Sequence, residues 1–213
     1  MYRLLGISVA SLLACSALHA ATISHGNSHG PAPTDWDPAQ TLSLQQFDPL
    51  MGTLNAVTFQ FSGTVRSDFT TSNKANRAAT AQSNLRGSVR FVLPTLDDAL
   101  LTLSASQTTP LAGKSTATYS IEDTETGTLM LDSDLDAFIG TGMFDLGVFA
   151  LATSATSGPG SINGFVFSYA TVSASVTYDY TAAPQQSSPV PEPASLALVG
   201  IALAAAGFAR RRA

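Results

Sequence analysis

Between Thr41 and Tyr180, apolar residues return at every second position in one short run after another, and nowhere at the spacing of a strong helix. Strand side chains alternate between two faces, so a period of two marks a segment with one face in a core and the other in water. The runs are Thr41–Phe47, Leu54–Phe61, Ser88–Leu93, Leu101–Ala105, Thr116–Ile121, Gly142–Leu151 and Phe165–Tyr180. In the last of these, Phe165, Phe167 and Tyr169 are followed by Val172, Ala174, Val176, Tyr178 and Tyr180. The change of phase after Tyr169 predicts a bulge or short turn. Asp48-Pro49, Gly63, Gly113, Thr126-Gly127 and Ser157-Gly158-Pro159-Gly160 supply turn chemistry between runs. Ser72–Leu85 is polar, a long loop or at most a weak helix. Short strands separated by turns predict an all-β fold, a two-sheet β-sandwich of jelly-roll type over residues 40–181.

The two ends of the chain carry a different pattern. Arg3 gives a positive start, Leu4–Leu13 an apolar stretch, and Ala17-Leu18-His19-Ala20 a small-residue cleavage region, so residues 1–20 are expected to be a secretory signal peptide. Leu12-Leu13-Ala14-Cys15 also resembles a lipobox, which would make Cys15 a lipidated N-terminus instead. Cleavage after Ala20 would remove the single cysteine and with it all thiol chemistry. Residues 21–39, with histidines, glycines and prolines and no periodicity, are expected to be a flexible lead-in. Residues 182–189 form a polar, proline-bearing linker.

After the linker come Val190-Pro191-Glu192-Pro193, the uncharged run Ala194–Ala209 and the triplet Arg210-Arg211-Arg212. A helix over that run would span roughly 24 Å, short of the roughly 30 Å hydrocarbon core of a bilayer, and the arginines would hold its far end in the cytoplasm. The three features in this order resemble the PEP-CTERM protein-sorting signal of Gram-negative bacteria. The resemblance implies recognition by an exosortase, a membrane-embedded cysteine protease or transpeptidase. It also implies transient residence in the inner membrane and delivery to the cell surface or an extracellular matrix. Val190, Pro191, Glu192, Pro193, Arg210, Arg211 and Arg212 would be the recognition residues. Exosortase and signal peptidase would be the processing partners.

Leu42–Val57 (L-S-L-Q-Q-F-D-P-L-M-G-T-L-N-A-V) is similar to the opening signature of choice-of-anchor E domains. These are extracellular bacterial domains with no assigned catalytic activity. The closing Val172–Tyr180 is also similar to their final strand. As chemistry alone, the first motif is a strand, an Asp-Pro turn, a glycine reversal and a second strand.

Charge narrows the partners. Setting aside Arg3 and Arg210–Arg212 leaves 6 of 10 basic residues, and setting aside Glu192 leaves 14 of 15 acidic ones, so the body carries a net −8. A phosphate binder needs a basic face, so nucleic acid is not an expected partner. Asp132-Ser133-Asp134-Leu135-Asp136 is the densest oxygen-ligand cluster. Ala137 and Met143 stand where an EF-hand needs glycine and glutamate. The alternatives are a looser calcium site at Asp132, Asp134 and Asp136, with Glu122, Asp123 and Glu125 alongside, or a solvated acidic loop. No other cofactor is expected.

His25 and His29 stand four apart, but Gly26 and Pro31 oppose the helix that would let them share a metal. No histidine follows His29, which leaves the body without a Ser-His or Cys-His pair unless the lead-in folds back. Ser157–Gly160 lacks the lysine and hydroxyl of a phosphate-binding loop. Tyr169, Tyr178 and Tyr180 are the candidates for a sugar-stacking platform, or else edge and core tyrosines.

The expected protein is thus an exported, non-enzymatic β-sandwich with a structural or adhesive role in extracellular polysaccharide. A carbohydrate-binding module would differ by a shallow patch of exposed aromatics. A secreted carbohydrate-active hydrolase would differ by a cleft holding two carboxylates about 5–10 Å apart.

Overall fold

Alternation of buried and exposed residues runs through eight strands. They are β1 (Ala20–Pro33), β2 (Gln40–Gln45), β3 (Gly52–Asn73), β4 (Ala79–Val92), β5 (Ala99–Leu111), β6 (Thr116–Leu131), β7 (Met143–Ser157) and β8 (Ile162–Ala182). The computed structural model describes residues 20–94, 97–183 and 201. The signal peptide before Ala20 and the sorting residues Val190–Pro193 and Arg210–Arg212 lie outside the described residues. Ala17–Ala182 forms one compact unit; a second unit, Met1–Ser16 with Ala183–Ala213, falls almost wholly outside the described residues. Among the described residues no helix is long and apolar enough to cross a membrane.

The strands form two antiparallel sheets of four, ordered β1-β8-β3-β6 and β2-β7-β4-β5. This is the jelly roll the alternation predicts, with the first strand lying beside the last. The strands are longer than the apolar runs suggest: β3 has 22 residues, a contour of about 70 Å. Gly63 and Thr126-Gly127, expected at turns, lie inside β3 and β6. A methyl group on Gly63 or Gly127 would sit 3.3 or 3.2 Å from a Leu101 methyl, so the glycines make room for Leu101 of the other sheet. Ser72–Leu85 is not a loop either: β3 runs to Asn73, a short turn follows, and β4 starts at Ala79.

The flexible lead-in expected over residues 21–39 is instead mostly β1, paired with β8 from Ala20↔Thr181 to Pro33↔Tyr169. Its inward His25 and His29 pack on Tyr178 and Trp36, and Trp36 is buried, its Nε1–H donating to the Pro33 carbonyl at 2.6 Å. The polar composition conceals β1 because none of its positions is fully buried, so few of them need an apolar side chain.

Between the sheets lie Phe59, Phe61, Phe91, Phe138 and Phe144, with edge-to-face pairs such as Phe138–Phe144 at 5.3 Å. Toward the C-terminal end of β3 the interior turns polar. Ser67 bonds Ser154 and Ser168 at 2.7 and 2.8 Å, and Ser83 bonds Tyr119 and Thr156 at 2.6 and 2.9 Å. Burial disfavours ionisation of Tyr119, but hydrogen bonds from Ser83, Thr71, Thr109 and Thr156 outweigh it and hold the phenol below its ordinary pKa. No buried side-chain polar atom among the described residues lacks a partner.

A candidate ligand-binding face on the outer side of the first sheet

The phase change after Tyr169 does not bend β8. Its register with β3 is unbroken from Asn73↔Ile162 to Ala56↔Asp179. From Ala170 onward the even-numbered residues of β8 are buried, and the same alternation carried back to Phe165 turns the odd-numbered aromatics outward. Phe165 and Phe167 are 60% and 61% exposed, and the half-buried Tyr169 follows on the same face. Facing them inward are Val166 and Ser168, and Ser168 belongs to the interior hydroxyl cluster. Tyr178 and Tyr180, expected as possible stacking residues, are core residues. Among the described residues the exposed aromatics are therefore Phe165 and Phe167, with the half-buried Tyr169 beside them on the same face.

Backbone pairing leaves this strip at an edge. Pairing between β1 and β8 ends at Pro33↔Tyr169; after Thr34 N–H donates to Ser168 O at 3.1 Å, the chain crosses to Ala150 of the second sheet. Gly30 permits the bulge just before this point: it has φ 103°, and its absent side chain would lie 2.4 Å from the Ala170 carbonyl. The rings of Phe165 and Phe167 meet edge to face, with centroids 6.0 Å apart.

Polar groups stand beside the strip. Phe167 is opposite Asp68 and Tyr169 opposite Arg66 on β3, and these are opposite Ser120 and Glu122 on β6. Arg66 Nε donates to Asp68 at 2.9 Å, Ser120 Oγ to the same carboxylate at 2.6 Å, and Arg66 Nη2 to Ser120 at 3.1 Å. The Ser120 hydrogen bond, followed by those of Arg66 and its charge, holds Asp68 below its ordinary pKa against a modest desolvation cost. Arg66, Asp68, Glu122, Tyr169, Thr64 and Thr171 line a hollow of about 440 Å³. One row nearer the start of β3, Ser62, Ser173, Gln60, Ser175 and Thr128 line another of about 630 Å³. From Gln60 to Thr70 the two hollows and the aromatic strip follow β3 for about 33 Å.

The other sequence-derived candidates do not converge. Asp132, Asp134 and Asp136 are exposed in the turn after β6, which inserts Phe138 into the core. Seven residues of strand, about 23 Å, separate Glu125 from Asp132. Asp123 is taken by the backbone, accepting from Ser104 N–H at 2.7 Å and so joining the edges of the two sheets. Among the described residues no group of three or more His, Cys, Asp or Glu side chains is placed to hold a metal ion. His25 and His29 lie about 13 Å apart along β1, too far to share one.

The Leu42–Val57 motif is a corner. Asp48 accepts from Leu50 N–H at 2.9 Å and caps a single 3-10 turn, Pro49–Met51, that leads into β3. Phe47 is buried against Tyr178 and Tyr180.

Residues 189–213 match the PEP-CTERM protein-sorting motif. The PEP-CTERM match supports export through an exosortase-type system, with processing at the membrane before surface localisation. No curated protein matches the chain. Among solved structures, the globular domain of zebrafish complement 1qA protein is 9% identical with a TM-score of 0.24, over 73% of this chain and 94% of that one. A mud crab tombus-like virus chain is 12% identical with a TM-score of 0.18, over 86% and 94%. An infectious bursal disease virus particle chain is 11% identical with a TM-score of 0.16, over 85% of this chain and 45% of that one.

Proposed function

We propose that the protein is displayed at the cell surface or in the extracellular matrix, where it has a structural or adhesive role by holding exopolysaccharide on the outer face of the first sheet. The observation that carries this reading is the outward aromatic strip Phe165-Phe167-Tyr169 beside the polar hollow of Arg66, Asp68 and Glu122. Sugar rings present apolar C–H faces to aromatic rings and hydroxyls to carboxylates and guanidinium groups, so a surface offering both suits them. The choice-of-anchor resemblance of Leu42–Val57 fits the same role, since such bodies are carried outward by interchangeable anchors.

In cells unable to make extracellular polysaccharide, the processed protein should move from the matrix fraction to the free medium. Equal retention in both backgrounds would overturn the adhesive role.

A hydrolase is the second reading, because Asp68 and Glu122 stand diagonally on neighbouring strands. That diagonal sets their backbones about 7–8 Å apart, near enough for the two carboxyl groups to flank one glycosidic bond. The hollow is an open sheet face rather than a cleft, however. Ser120 and Arg66 also hold Asp68 in its ionised form, the opposite of what a proton donor requires. The pair is better suited to accepting sugar hydroxyls. Release of reducing ends from a polysaccharide, abolished in Glu122→Gln, would establish hydrolysis instead.

A further inference from the structure

We infer that this face takes an uncharged, linear polysaccharide lying lengthwise along β3 and β8; the inference rests on the polysaccharide reading above and names the class of chain. Direction follows from the topology. The three aromatics succeed one another along a single strand, each about 6.7 Å from the next, and the two hollows continue in the same direction on β3 and its neighbours. A ligand using both hollows and the rings must be extended over several sugar units. A branched or compact glycan would reach only one part.

Charge excludes an acidic chain. The hollow lined by Ser62, Gln60, Ser173 and Ser175 has no ionisable lining residue, and its hydroxyls and amide suit sugar hydroxyls as donors or acceptors. The lower hollow holds one cation, Arg66, against two carboxylates, Asp68 and Glu122. Arg66 is already engaged by Asp68 at 2.9 Å, so a uronate or sulfate would meet Glu122 without a free cation beside it. Uncharged hydroxyls incur no such repulsion, and the carboxylates accept charge-assisted hydrogen bonds from them.

The test is affinity electrophoresis of the processed protein, purified from the extracellular fraction, through native gels containing hydroxyethylcellulose, galactomannan, dextran or alginate. Retardation by at least one linear neutral polymer and none by alginate is expected. Phe165→Ala/Phe167→Ala should weaken that retardation about tenfold or more, because a few aromatic rings carry most of the energy of such a contact. Thermal melts of the variant establish that its fold is intact; if the double variant fails to fold, Tyr169→Ala alone serves the same purpose. Retardation by alginate in preference to the neutral polymers would overturn the neutral-chain inference while leaving the polysaccharide reading standing. No retardation by any polymer would overturn both. Unchanged retardation in folded aromatic variants would place the site elsewhere.

Discussion

A methyl group on Gly63 of β3 would lie 3.0 Å from Cγ2 of Val89 on β4, in the opposite sheet. The relation is reciprocated two residues away, where a methyl on Gly87 of β4 would lie 3.1 Å from Cγ2 of Val65 on β3. Each sheet thus places a glycine beneath a valine of the other, and the layers close upon these two contacts. Gly63→Ala should cost about 1–3 kcal/mol by overpacking. The added Val89→Ala substitution should recover part of that loss, as a urea-denaturation double-mutant cycle would reveal. Purely additive losses would refute the contact.

Phe47 plugs the corner between β2 and β3. It is 1% exposed, and its backbone bonds both Phe138 O and Gly140 N–H. Phe47→Ala should lower stability by about 3–5 kcal/mol, read from the shift in urea midpoint. A loss below about 1 kcal/mol, close to that of a surface change, would show that the corner collapses to fill the space.

Burial raises the Tyr178 phenol above its ordinary pKa of 10.0, and its hydroxyl donates to Gln45 O at 2.7 Å. The folded state therefore keeps a proton that the unfolded chain releases. This contribution is complete below pH 10 and is lost as pH rises further. Tyr178→Phe should be less stable at neutral pH by about 0.5–1.5 kcal/mol through loss of the hydrogen bond. Denaturation midpoints measured from pH 8 to strong alkali should show the gap between wild type and variant narrowing above pH 10. A constant gap would contradict the sign.

Replacing Pro191-Glu192-Pro193 with alanines should leave an uncut chain in the inner-membrane fraction, resolved by mass from the processed form. Normal release would remove the motif from the export pathway.

Chelating calcium should leave the melting temperature unchanged, because the carboxylates at 132–136 are exposed and Glu125 stands about 23 Å up the strand. A downward shift that calcium reverses would restore the loop as a metal site.

The period-two runs were enough to anticipate the sheets because each inward residue of β2, β3, β4 and β7 is apolar along most of its strand. Strand ends were not legible. Ser67, Thr71, Ser83 and Ser154 face inward at the polar end of the sandwich, where hydroxyls satisfy one another and the apolar signal vanishes. β1 is hidden for a related reason: after Ile23 its inward positions are His25 and His29, half-buried against aromatics, so the aliphatic alternation stops early in the strand. Of the proposed face, the period of Phe165, Phe167 and Tyr169 is legible and Tyr169 stands out as a stacking candidate, but the phase change that predicts a bulge or short turn is a straight strand exposing Phe165 and Phe167. Arg66, Asp68 and Glu122 gave no signal, since only the pairing of β3 with β6 and β8 places them together.

Because β1 pairs with β8 from Ala21↔Tyr180 onward, the leading segment of the body must wait for nearly the whole of it before its neighbour arrives. The first sheet is then finished only by sequence lying a few residues before the sorting signal. For an exported chain, crossing therefore precedes completion of the sheet: until the last strand emerges, the leading one is an open edge exposed to pairing with other chains.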